Sequence, residues 1–255
     1  MGKKRKTSWE NSSNWYDKKV SEKGHHYHEK VILPKLIPLL ELDQSPSPSL
    51  LDLGCGQGIL ARHLPENLPY TGVDLSSSLI YAAKARSKNK GHQFVHGDAT
   101  KPLKIKKKDY SHGVILLALQ NMEFPEKVLQ NGANHLRSGG RLIIVLNHPC
   151  FRIPRQTHWG VDEKQKVQYR RVDRYLSPLK IPIQTHPGKE SSSQTWSFHH
   201  PLSSFTKWLK KSGFVLLDTE EWISDKMSTG SKAKMENRSR QEFPLFLTLV
   251  AEKSS

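Results

Sequence analysis

The chain has 255 residues, of which 40 are Lys or Arg and 24 are Asp or Glu, for a formal net charge of +16. No apolar run approaches the roughly 20 residues that cross a bilayer, and two cysteines are too few for a disulfide framework, so a helical membrane span and a disulfide-stapled scaffold are excluded. The expected setting is the reducing cytoplasm; the charge points to an anionic partner, or only to lysines that keep the chain soluble.

Residues 1–27 read as a polar, basic arm with Trp9, Trp15 and Tyr16 as aromatic anchors. Its KKRK run fits a localisation or nucleic-acid element, or a solvated tail, and it lacks the apolar stretch of a signal peptide. Residues 28–255 read as one domain. From His28 to Leu42, Val31, Ile32, Leu36, Leu39 and Leu40 recur at helical spacing until QSPSPS ends the pattern. SLLDLG predicts a buried strand into a glycine turn, and GILARHLP a helix after it. YTGVDLS, HQFVHGDA, SHGVILLAL and RLIIVLN predict four more strands. SLIYAAKARSK and PEKVLQNGANHLRSGG predict helices between them, the second closed by its glycine pair. This alternation implies an α/β protein with a doubly wound, mostly parallel sheet. Residues 148–198 break the pattern and read as an inserted lid. PLSSFTKWLKKSGF restores a helix, and FVLLDTEEWI and PLFLTLVAEK predict strands on either side of a basic loop, 226–240.

DLGCGQG puts Gly54, Cys55, Gly56 and Gly58 in a turn at the end of the first strand, where backbone can approach a ligand closely. A pyrophosphate-binding fingerprint is G-x-G-x-x-G, but here Ile59 follows the third glycine and Asp52 precedes the turn. That carboxylate would repel a pyrophosphate and attract a cation. S-adenosylmethionine meets the description: adenosine, no phosphate, a sulfonium and an ammonium. Asp74, followed by Leu75, ends the second strand 20 residues after Gly54 and suits two ribose hydroxyls. An NAD protein would place an acid there too. Asp98 and the Ala99 amide, ending the third strand, suit an adenine edge.

These stretches resemble the class I S-adenosylmethionine-dependent methyltransferases from about Leu50 to Val250. LLDLGCGQG resembles their first motif, GVDLS the second, GDA the third, and LRSGGRLIIVL the passage into the fifth strand. The resemblance implies a Rossmann-like seven-stranded sheet with a terminal antiparallel strand. It implies a cofactor set of Asp52, Gly54, Gly56, Asp74, Asp98 and Ala99, with Leu117 and Ala118 on the methionine side. EKGHHYHEKVILPKLIPLL resembles the cap helix of the small-molecule, ubiquinone-type or type 11 branch. The N-P-P-Y element of adenine and glutamine methylating enzymes is absent: LALQNM stands in its place.

Methyl transfer needs alignment of an acceptor and exclusion of water more than it needs a catalytic dyad. Asn147 and His148 fall beside the expected methyl position, and His199 could serve as a base facing the insert. His25, His26 and His28 read as packing or lid residues, without the partners that a metal site requires. Arg152, Arg155, Arg170, Arg171 and Arg174 read as a solvated face or as the site of an anionic small-molecule substrate. An RNA or protein acceptor is the second expectation, and a non-catalytic cofactor-binding module the third.

Overall fold

The structure, a computed structural model, describes residues 9–10, 13, 24–184 and 194–254. The KKRK run, Trp15 and Tyr16 lie outside them. Eleven strands and five α-helices are described: β1 (Leu50–Leu53), β2 (Tyr70–Asp74), β3 (His92–His96), β4 (Tyr110–Leu116), β5 (Leu136–Asn147), β6 (Thr157–Asp162), β7 (Val167–Val172), β8 (Leu179–Gln184), β9 (Gln194–His199), β10 (Phe214–Trp222) and β11 (Phe246–Lys253). The helices are α1 (Leu33–Leu39), α2 (Ser77–Arg86), α3 (Pro125–His135), α4 (Leu202–Lys211) and α5 (Ala233–Glu242).

Seven strands make one sheet in the order β10-β11-β5-β4-β1-β2-β3. β3, β2, β1, β4 and β5 run parallel, and β11 is antiparallel to both β5 and β10. The central strands are apolar on both faces because helices cover both. Ile32, Leu36, Leu40, Leu60, Ile80 and Trp222 pack on one face. Val128, Leu129, Phe205 and Leu209 pack on the other. Reversal of strand order beside β1 opens a crevice at the carboxyl ends of β1 and β4, where ligands of open α/β sheets bind.

Four expectations need correction. GILARHLP is not a helix: Gly54, Gly56 and Gly58 all have positive φ, and only one 3₁₀ turn, Ala61–His63, follows. Its apolar residues Ile59, Leu60 and Leu64 are still buried. The predicted 28–42 helix opens as a π-turn, His28–Ile32, and ends at Leu39, with the chain turning left-handed at Glu41 (φ +47°). Gly139 and Gly140 lie inside β5, not at the end of α3. A side chain at Gly140 would meet the Arg137 carbonyl at 2.7 Å. The 226–240 loop contains most of α5. There Glu236 and Arg240 pair one turn apart, and buried Ser239 bonds the Gln168 carbonyl of β7. The insert is more regular than expected, with two antiparallel hairpins, β6–β7 and β8–β9.

Candidate functional site

The first strand delivers Asp52 to a buried position below the glycine turn. The Tyr70 hydroxyl donates to Asp52 Oδ2 at 2.7 Å, while Asp52 Oδ1, also buried, has no hydrogen-bond partner. Burial pushes this carboxyl up to about 7, against the opposing pull of the Tyr70 hydrogen bond. Tyr70 reaches it because β1 and β2 pair with Asp52 opposite Gly72, and a side chain at 72 would collide with Cys55 and the Tyr70 hydroxyl. The sequence contained one signal for this partner, a glycine inside an otherwise β-forming strand.

Gly54 has φ +87°, and a β-carbon there would meet Ala118 Cβ at 2.4 Å. The turn therefore passes against the end of β4 with no room for a side chain. Cys55 is buried and its thiol pushed well up by that burial, so it is a packing residue. Gly58 packs on Phe94 and Ala83. Asp74 Oδ2 accepts from the Gly56 N–H at 2.8 Å, and Oδ1 from the Ser76 N–H at 2.8 Å. This aspartate thus ties the glycine turn to the end of β2. Burial raises its pKa, and the two backbone donors oppose the shift. Leu75 is exposed beside it.

Asp98 Oδ1 accepts from both the N–H and the hydroxyl of Thr100, at 2.9 and 2.7 Å, and Oδ2 faces Lys101 at 3.5 Å. Ala99 is buried, its carbonyl held by Asn131 Nδ2 at 2.6 Å. Leu117, the residue after β4, adopts φ +50°, unusual for a branched side chain. The amides of Gln120 and Asn121 both donate to its carbonyl, at 2.9 and 3.3 Å. The carboxyl ends of β1, β2, β3 and β4 thus bring Asp52, Gly54, Gly56, Asp74, Asp98, Ala99 and Leu117 to one end of the sheet.

Asn147 is exposed at the end of β5, and His148 next to it is buried. His148 Nε2 lies 2.6 Å from Glu221 Oε1, and its Nδ1 accepts from the Cys150 N–H at 3.2 Å. With both ring nitrogens engaged, His148 has no free position for a substrate proton. Its burial lowers its pKa and Glu221 opposes the shift. His199 ends β9 with Nε2 2.6 Å from the Tyr175 carbonyl. The Tyr175 hydroxyl interacts with Cys150 and accepts from the Leu202 N–H at 3.0 Å. His148 and His199 are therefore linked through Cys150 and Tyr175. Glu221 and Tyr175 escaped the sequence reading, because neither has a spacing that announces it.

The residues before α1 fold over the same edge. His28 is buried and pulled down to about 4, chiefly by burial. Tyr27 stacks edge-on against Phe246 at 5.8 Å, and His26 pairs with Asp225 at 3.0 Å. Gly24 lies against His28 and Ile59, which brings this segment onto the glycine turn. Glu10 bonds the hydroxyls of Ser76, Ser77 and Ser78 at the start of α2, which holds its carboxyl down near about 2. Among the described residues no group of three His, Cys, Asp or Glu could hold a metal ion.

A family described as "Methyltransferase domain" matches residues 51–144. An uncharacterised methyltransferase of Mycobacterium tuberculosis is 27% identical over 119 residues, 46% of this chain and 57% of that protein. The chain thus spans little more than half the length of that relative. A malonyl-[acyl-carrier protein] O-methyltransferase of Halalkalibacterium halodurans is 23% identical over 240 residues, 86% of this chain and 87% of that protein. A crystal structure of an S-adenosylmethionine-dependent methyltransferase from Mesorhizobium loti shares the fold, with TM-score 0.66 and 22% identity. It covers 86% of this chain and 96% of that one.

Proposed function

We propose that this chain, a class I S-adenosylmethionine-dependent methyltransferase of the type 11 branch by its matched domain and its fold, transfers a methyl group from that cofactor to a small-molecule acceptor. The carrying observation is Asp52 Oδ1, a buried acceptor without a partner beside a glycine turn with no room for side chains. A buried carboxylate without a counter-charge is costly, and an ammonium or sulfonium ligand would relieve that cost. Asp74 can keep its two backbone bonds and still accept from ribose hydroxyls through remaining lone pairs.

S-adenosylmethionine, when bound, supplies an electrophilic methyl group on its sulfonium. The protein's part is to bind, orient and exclude water. Asp52, Gly54, Gly56, Asp74, Asp98 and Ala99 hold the cofactor side. Leu117, fixed in its left-handed conformation by Gln120 and Asn121, borders the methionine end. Asn147 faces the acceptor, and His148, pinned by Glu221, is a positioning residue for the turn that follows. His199, whose Nε2 lies against the Tyr175 carbonyl, is the candidate base. Residues 148–184 and 194–198 serve as the lid, and residues 24–28 cover the other side. The two cysteines are free, in keeping with a cytoplasmic setting. No described helix is long and apolar enough to cross a membrane.

Calorimetry of the purified protein with S-adenosylhomocysteine tests the cofactor reading, and absence of binding would sink it. Asn147→Ala and His148→Ala should each lower turnover more than cofactor affinity. Equal loss of both would move these residues out of the acceptor side. The charge of +16 keeps RNA as a second reading.

A further inference from the structure

We infer that Glu10 is a positioning residue of the cofactor site: through Ser76 it holds the Asp74 carboxylate ready for the ribose hydroxyls. This rests on the cofactor reading above. Glu10 belongs to the arm, far from Asp74 in the chain, yet its carboxylate sits at the start of α2. Oε2 accepts from the Ser76 hydroxyl at 2.6 Å and from the Ser78 N–H at 3.3 Å. Oε1 accepts from the Ser77 and Ser78 hydroxyls, at 3.1 and 2.6 Å. The Ser13 hydroxyl donates to the Glu10 carbonyl at 2.8 Å, which braces the backbone that carries the side chain.

Ser76 distinguishes this arrangement from an ordinary contact at a helix end. It is fully buried, whereas Ser77 and Ser78 are exposed. Its hydroxyl accepts from the Leu79 N–H at 3.2 Å as the cap of α2, and its one proton goes to Glu10. Its own N–H donates to Asp74 Oδ1 at 2.8 Å, and Asp74 Oδ2 accepts from the Gly56 N–H at 2.8 Å. An unbroken hydrogen-bonded path thus runs from Glu10 through Ser76 and Asp74 to the glycine turn. Without Glu10 the buried Ser76 hydroxyl loses its acceptor. To regain one the residue must shift, and the N–H that fixes Asp74 shifts with it. A carboxylate is favoured at any helix start, but that preference alone would not reach Asp74. Burial raises the Asp74 pKa, and the nearby Glu10 charge adds to the rise. Neutral ribose donors relieve both effects.

Calorimetry of the full chain and its Glu10 variants, with S-adenosylhomocysteine and with its 2′,3′-dideoxy analogue, separates positioning from mere anchoring. The wild-type chain should prefer the ligand with hydroxyls. Glu10→Ala should weaken that ligand about fivefold or more and leave the dideoxy analogue within about twofold, because a residue acting through Asp74 matters only when there are hydroxyls to receive. Glu10→Gln, which keeps one acceptor oxygen, should recover part of the loss. Equal loss for both ligands would make Glu10 only an anchor of the arm and overturn the assignment. So would unchanged S-adenosylhomocysteine affinity in Glu10→Ala, or equal affinity of the wild-type chain for the two ligands. No binding of S-adenosylhomocysteine to the wild-type chain would defeat the cofactor reading and this inference with it; binding with equal losses would defeat this inference alone.

Discussion

Asp52 carries the clearest electrostatic consequence. Its carboxyl titrates near 7 in the folded chain against an ordinary 3.8. Between about pH 4 and 7 the folded chain holds a proton that the unfolded chain has released. The ligand-free protein therefore loses stability as pH rises through that window, by at most roughly 1.4 kcal/mol per pH unit. Asp52→Asn should flatten this slope in thermal melts between pH 4.5 and 7.5; an unchanged slope would mean another group titrates. A cationic ligand at Oδ1 draws the pKa back down, so binding at pH 6 should release a proton. Calorimetry in buffers of different ionisation enthalpy reads that release, and proton uptake would contradict it. Asp52 and Asp74 were legible in the sequence because each ends or precedes a turn with strict spacing. Tyr70, Glu221 and Tyr175 were not, since side-chain partners from distant strands follow register that one chain does not print.

At the scale of elements, alternating apolar runs foretold every strand of the main sheet, and most boundaries fell within a few residues. The failures have separate causes. GILARHLP has helical spacing, but the turn with positive φ at Gly54, Gly56 and Gly58 runs into it, and only Ala61–His63 makes a helical turn. Spacing also missed α5, whose polar, charged residues form a helix without an apolar stripe; only Ser239 in it is buried. In the insert, β9 buries Trp196 and Phe198, whereas β6–β7 leaves Trp159, Val161, Tyr169 and Val172 exposed. Deleting all of 148–198 would open the core. Replacing 157–172 with a Gly-Ser linker should instead lower kcat while leaving S-adenosylhomocysteine affinity within about twofold. Wild-type turnover in that variant would remove the hairpin from the lid.

For the molecule as a whole, net charge was the broadest sequence signal and the least decisive. Lysines and arginines are spread through loops, helices and hairpins, and many pair locally, as Arg141 does with Glu41 at 2.6 Å and Lys180 with Glu123 at 2.8 Å. A small-molecule enzyme with this charge should bind bulk RNA at low salt and release it at physiological salt without loss of metabolite methylation. Retention of RNA, with a log affinity against log salt slope steeper than about −3, would favour the RNA reading.

The order of strands also sets an order in time. β11 follows β10 in the chain yet lies between it and β5, so β10 has no place in the sheet until β11 arrives. While a ribosome is still making residues 214–245, the Leu142–Leu146 edge of β5 has no partner on that side. This run of five buried apolar residues is a template for pairing with another nascent chain. The same inversion that gives the finished protein its closing hairpin makes its synthesis depend on holding that edge apart until the penultimate position is filled.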